Sequence, residues 1–221
     1  MFAETRRLFR TPQLAQASLV ATIIIGFFLG YIKDHYHTPI NYFLFDVGLA
    51  VALFFWLTAT DRLRQLTLPN TPLTPPLLLF YAVCFVYIFI SDMPLLAGVS
   101  AFRGWCMASL AFLLGYDLIH SSRQVKTYLW FVIGLSVISG VYGAYQYAAG
   151  IESILGQDVV ASRHQFATYA TEEGELEFRI FSTFVSAGAF GSMMAYASFI
   201  ALALAISDKV TIREKALLVI A

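Results

Sequence analysis

The stretch Glu177-Phe178-Arg179-Ile180-Phe181-Ser182-Thr183-Phe184 is where the chain changes character. It closes a polar segment, 151–181, and runs into an apolar stretch that reads as a helix over 184–206. It thereby brings one arginine, Arg179, to the mouth of that helix. A cation held at a membrane surface beside a long polar loop suits an anion, and phosphate is the anion most to be expected there. The plain alternative is that Arg179 snorkels to the interface and anchors the helix.

The surrounding composition is that of a membrane chain. Of 221 residues, 59% are hydrophobic and 13% are charged, with mean hydropathy +0.71. A soluble domain carries about a quarter charged residues, so that class is excluded. Net charge is zero, which gives no reason to expect a nucleic-acid partner. Cys84 and Cys106 both lie inside apolar runs and read as small core residues rather than a disulfide or metal ligands. No phosphate-loop, dinucleotide or zinc-ligand spacing occurs, so neither a cofactor nor a metal is expected. The first apolar run is long and lacks a small-residue cleavage site, unlike a signal peptide. The chain stops at Ala221 inside a new apolar run, so it reads as the N-terminal part of a longer protein.

Taken outward from the loop, the apolar runs predict an all-α, polytopic transmembrane bundle. Spans are expected over 14–32, 40–58, 75–91, 95–119, 127–150 and 184–206, with a seventh starting at 216. Pro75 and Pro76 open the third, where a missing N–H does no harm. Lysine and arginine set the orientation. With a cytoplasmic N-terminus, the inner segments hold Arg6, Arg7, Arg10, Arg62, Arg64, Arg123, Lys126, Lys209, Arg213 and Lys215. The outer ones hold Lys33, Arg163 and Arg179. That bias places the loop 151–181 on the outer side, out of reach of cytoplasmic nucleotide sugars.

Three ionisable residues fall within spans: Asp46, Arg103 and Asp117. Asp46 lies about 9 Å below residue 40 and Arg103 about 12 Å below residue 95, at ~1.5 Å per residue. Matching depth makes an ion pair between the second and fourth spans the structural reading. The functional alternative turns Arg103 into an outward cavity, where it would join Arg179 on a phosphate. Asp117, near the cytoplasmic end, is expected to be solvated.

The loop itself is acidic, through Glu152, Asp158, Glu172, Glu173, Glu175 and Glu177. The last four read as a solvated face, without the alternation of a calcium loop. His164 has the chemistry of a general base but equally that of an incidental loop residue. Tyr142, Tyr145, Gln146 and Tyr147 crowd the outer end of the fifth span. They form either an interfacial belt or a surface that stacks on sugar rings. Gly134, Gly140, Gly143 and Gly150, and the small face of Gly188 and Gly191, suit close helix packing.

Two segments together resemble the O-antigen ligase and O-antigen polymerase (Wzy/WaaL-like) membrane glycosyltransferases. One is Tyr142-Gly143-Ala144-Tyr145-Gln146-Tyr147-Ala148-Ala149-Gly150; the other is Arg179-Ile180-Phe181-Ser182-Thr183-Phe184 opening a helix rich in small residues. Gln146, Arg179, Ser182, Thr183 and Phe184 match the family's pattern of a glutamine, then an arginine, an aromatic, Gly or Ser, Thr and Phe. The family's Pro-Asn after the phenylalanine is replaced by Ser186-Ala187, as in a divergent or exopolysaccharide-type member.

The resemblance implies about a dozen transmembrane helices in the full protein and residence in the bacterial cytoplasmic membrane. It implies transfer or polymerisation of a glycan from undecaprenyl diphosphate on the outer face, to an acceptor glycan, lipid A core or protein, without a cofactor. It places the main catalytic residues beyond Ala221. Arg179, with Arg103 and Arg163 behind it, is then the candidate for the diphosphate, and Tyr145, Gln146 and His164 are the candidates for glycan contact. Two other classes stay open: a transporter of a small solute or anion, for which Asp46 and Arg103 speak, and a non-catalytic membrane subunit.

Overall fold

The computed structural model describes residues 12–36, 38–59, 71–92, 94–156, 168–170, 176–207 and 210–220. Long apolar runs without interior proline form helices there: α1 (Pro12–His35), α2 (Leu44–Ala59), α3 (Thr74–Ile90), α4 (Leu95–Leu118), α5 (Ser122–Ala149), the short α6 (Ile151–Leu155), α7 (Ala187–Ile206) and α8 (Ile212–Ile220). Four of them are long and apolar enough to cross a membrane, over Gln13–His35, Leu95–Leu118, Ser122–Ala149 and Ala187–Ile206. The helices α2 and α3 are apolar but shorter. Along α3, large side chains such as Leu79, Val83, Tyr87, Phe89 and Ile90 stand exposed. Water does not tolerate so continuous an apolar surface; the hydrocarbon of a bilayer does.

Two boundaries differ from the sequence expectation. The second span does not begin as an α-helix at residue 40: Pro39–Tyr42 is a 3-10 turn with Pro39 at its start, and α2 begins at Leu44. The sixth does not begin at 184. Residues 180–184 form an irregular buried segment, and α7 starts at Ala187, capped by Ser186, whose hydroxyl accepts the Ala189 N–H at 3.2 Å. The polar loop also carries structure of its own. Three-residue strands β1 (Thr168–Ala170) and β2 (Leu176–Phe178) pair antiparallel, with Tyr169 opposite Glu177.

The described residues fall into two compact units, and α1 contributes its first half to one and its second half to the other. The first unit combines the start of α1 with α2, α3 and α4. Its core is Ala15, Leu19, Leu49, Ala52, Trp56, Leu114 and Leu118. Polar bonds fix the register of that core. Gln16 donates from Nε2 to the Leu118 carbonyl at 2.8 Å, satisfying an end of α4 that has no intrahelical partner. Trp56 donates from Nε1 to Asp117 at 2.6 Å. Asp117 is therefore half-buried and hydrogen-bonded rather than simply solvated. The hairpin of α3 and α4 is tied by Tyr81 and Ser109, hydroxyl to hydroxyl at 2.8 Å. Cys84 and Cys106 are free thiols.

The second unit holds the rest of α1, α5, α7 and α8. Ile133, Leu204, Val210 and Leu218 form one cluster, and Ile151 with Phe181 forms another. The start of α8 is a capping box. Thr211 caps the helix, its N–H and hydroxyl donate to the Glu214 carboxylate at 2.8 and 2.9 Å, and Glu214 also binds Lys126 of α5 at 2.8 Å. The Lys126 contact, followed by those of Thr211, lowers the Glu214 carboxyl to a pKa of about 2.

Candidate functional site

Around the motif that opens α7, the structure builds a buried joint. The helix α5 presents Ser139, Gly143 and Gln146 at i, i+4 and i+7, hence on one face. That face receives the segment Ile180–Phe184. Gln146 is 1% exposed, and its amide clamps the backbone of Ser182 from both ends. Oε1 accepts the Ser182 N–H at 2.8 Å and Nε2 donates to the Ser182 carbonyl at 3.3 Å. The Ser182 hydroxyl donates to the Ser139 carbonyl, and the Ser139 and Thr183 hydroxyls meet at 2.9 Å. These partners are neutral, so part of a buried, irregular backbone is hydrogen-bonded without bringing a charge among them.

Ser182 adopts a left-handed φ of 53°, at the start of a turn closed by Phe184 N–H donating to the Phe181 carbonyl at 3.0 Å. Such a φ suits glycine best and strains any side chain. Here the serine hydroxyl and the Gln146 clamp offset that strain.

The same turn leans on α1. The Tyr31 N–H donates to the Thr183 carbonyl at 3.1 Å. Gly30 makes the approach possible, because a Cβ there would overlap the Phe184 carbonyl. Gly143 plays a similar part on α5: its Cβ position lies 3.0 Å from Phe190 and 3.3 Å from Ile180. The Phe184 ring sits between Phe27 and Phe190, with centroids at 5.4 and 6.0 Å. Of the other glycines expected to mediate close packing, Gly140 has only Met194 near, at 3.9 Å. Gly134, Gly150, Gly188 and Gly191 have open space where a Cβ would stand. Gly150 instead ends α5 with a φ of 78°.

Arg179 stands at the edge of this joint. It is exposed, and it lies between the end of β2 and the first buried residues of the turn. Its backbone is thus attached to a fixed point while its side chain reaches solvent. Tyr145 is exposed, and Tyr142 is half-buried against Tyr31, ring centroids 5.7 Å apart. Gln146, expected among the glycan contacts, is enclosed, with its amide engaged on Ser182, so its place is in the joint. Arg163 and His164 lie outside the described residues.

Arg103 is in the other unit. Its Nε lies 3.4 Å from Asp46 Oδ2, with side chains 38% and 19% exposed. The ion pair is the arrangement expected from matching depths. Among the described residues no group of three His, Cys, Asp or Glu side chains converges on a metal-sized site.

Comparison with protein-family models, with curated proteins and with solved structures finds no match. The site is therefore read from its own chemistry. Sequence reasoning missed Gly30 and Ser139. Ser139 had a signal, since it shares a helical face with Gly143 and Gln146. Gly30 had a weak one, since with Gly26 it makes a Gly-x-x-x-Gly spacing in an apolar run, which suits close approach of another backbone without saying which.

Proposed function

We propose that this protein is a membrane glycosyltransferase of the O-antigen ligase/polymerase type. It takes a glycan from undecaprenyl diphosphate on the outer face of the bacterial cytoplasmic membrane and passes it to an acceptor glycan, lipid A core or protein. In this reading the N-terminus is cytoplasmic, the helices follow the six-span order with a seventh beginning, and the segment 151–181 faces outward.

One observation carries the reading: an exposed arginine next to a buried turn that Gln146, Ser139 and the α1 backbone hold by hydrogen bonds, ahead of a membrane-length helix. Breaking a glycosyl–phosphate bond leaves negative charge on the diphosphate. A fixed guanidinium stabilises that charge best when it needs no reorganisation. The joint serves this end by fixing the backbone from which Arg179 projects. Arg163 is a further candidate for the diphosphate and His164 for the glycan. Arg103 is a weaker one, because Asp46 already holds it.

The test is deletion of the gene and complementation with Arg179→Ala and Arg179→Lys. Lipid-linked oligosaccharide and surface polysaccharide are measured together. With Arg179→Ala, lipid-linked units accumulate and surface glycan is lost while the protein stays in the membrane. Arg179→Lys restores part of the transfer, since it keeps the charge without the two-pronged geometry. Normal surface glycan with Arg179→Ala overturns the assignment. Unchanged lipid-linked intermediates in the deletion, with reduced solute uptake, put a transporter in its place.

A further inference from the structure

Four rings in the second unit adjoin one another in a row. His35 stacks on Tyr31 at 4.0 Å and 26°, Tyr31 meets Tyr142 edge-on at 5.7 Å, and Tyr142 adjoins Tyr145 at 6.3 Å. Two come from the end of α1 and two from the last turns of α5, more than a hundred residues later. The wall is open: Tyr31 is 37% exposed, Tyr145 is 56% exposed, and His35 is exposed as well.

The histidine is held in one tautomer. Its Nδ1 lies 2.9 Å from the Tyr31 carbonyl oxygen. A carbonyl only accepts, so Nδ1 carries the proton and donates. In the neutral ring Nε2 then presents a lone pair. No donor reaches that nitrogen among the described residues. The Asp34 carboxylate, 9% exposed, lies within electrostatic reach of the Tyr142 hydroxyl. The wall thus combines aromatic faces with a hydrogen-bond acceptor, His35 Nε2.

We infer that Tyr31, His35, Tyr142 and Tyr145 form a carbohydrate-binding subsite that takes an uncharged pyranose ring. A pyranose has an apolar face of C–H groups, which lies on an aromatic ring. Its rim of hydroxyls donates to acceptors such as His35 Nε2. A phospholipid headgroup would call instead for a cluster of cations, whereas this wall offers ring faces and an acceptor nitrogen. The ligand class rests on the glycan-transfer reading. The subsite goes beyond it in naming α1 as a contributor, and the joint explains how: the Tyr31–Thr183 bond and the glycine beside it hold the end of α1 against the turn that carries Arg179.

The experiment uses the full-length protein in nanodiscs of phosphatidylethanolamine and phosphatidylglycerol, with saturation-transfer NMR. The probes are methyl β-glucoside, methyl β-galactoside, methyl N-acetyl-β-glucosaminide, and oligosaccharides released by mild acid from the cells' own surface polysaccharide. Saturation is expected on the C–H protons of at least one probe, and loss of that signal in Tyr145→Ala. Tyr145 is exposed enough for that variant to fold. His35→Phe keeps the stack on Tyr31 and removes the acceptor, so binding weakens by ~5–10-fold, the effect of one neutral hydrogen bond. Absence of saturation on all four probes overturns the subsite, as does a signal indifferent to both variants. The gene deletion and Arg179→Ala together separate the two claims. Sugar binding by the wild type with lipid-linked intermediates unchanged in the deletion refutes the transferase reading alone. Lost transfer in Arg179→Ala with no sugar signal in the wild type refutes the subsite alone.

Discussion

Polar groups are handled differently around Ser182 and around Asp46. Around Ser182 the second unit buries an irregular turn in an all-neutral network, with Ser139, Gln146, Ser182 and Thr183 each at most 2% exposed. The first unit instead holds a charged pair, Asp46 and Arg103, and leaves both side chains partly exposed. The difference follows from cost. A neutral group that gains its hydrogen bonds can be enclosed completely, whereas enclosing two charges costs several kcal/mol per ion even when they are paired. The neutral network therefore serves rigidity and the charged pair serves register.

That contrast can be broken most severely at Gly30. Gly30→Ala puts a Cβ into the Phe184 carbonyl, and the backbone of either α1 or the turn must move. A loss of about 3 kcal/mol or more is expected. It should appear as a collapse of the thermal transition of purified protein, or as disappearance from the membrane fraction. A wild-type transition would show that the turn is not rigid.

Gln146→Leu comes next. It keeps the volume but leaves the Ser182 N–H and carbonyl buried without partners, at a cost of about 2–3 kcal/mol. Gln146→Ala adds a cavity to that loss, so the two variants read by thermal unfolding separate the clamp from its packing.

The charged pair should respond less. Asp46→Ala or Arg103→Ala is expected to cost about 1 kcal/mol, because the partly exposed pair is screened. The double exchange, Asp46→Arg with Arg103→Asp, should recover most of it. If the exchanged protein folds as well as wild type but loses function, Arg103 does more than pair with Asp46.

The smallest expected effect is the pH response of the Glu214 cap. Its folded pKa, about 2, lies below the ordinary 4.5. The contribution is therefore fully present above about pH 4.5 and fades as pH falls towards 2. Lys126→Ala should shrink that acid-side slope, since the lysine contact is the largest cause of the shift. An unchanged slope of stability against pH would mean that the Thr211 capping bonds alone hold the carboxylate.

Much of the helical order was legible because apolar runs broken by short polar turns leave the chain few alternatives in a membrane. Runs at 14–32, 95–119 and 127–150 correspond to α1, α4 and α5 within a few residues. The pairing of Asp46 with Arg103 was legible from depth alone. The start of α7 was not. Phe184-Val185-Ser186 passes for the first turn of the helix, whereas Ser186 caps it and the Gln146 amide holds the backbone of Ser182 just before. The hairpin of β1 and β2 escaped for a related reason: strands of three residues are too short to show a period.

Composition and charge by themselves determined that this is a chain with membrane-spanning helices, because so much apolar surface and so few charges leave water no role as its solvent. They also singled out Arg179 as the cation where the polar loop meets the last long helix. Only the tertiary structure decided what stands behind it. The contacts of Gly30, Ser139 and Gln146 with residues 180–184 join positions 36 to about 150 residues apart. No local pattern encodes such contacts, since each depends on a backbone group that becomes available only when another helix has already packed beside it.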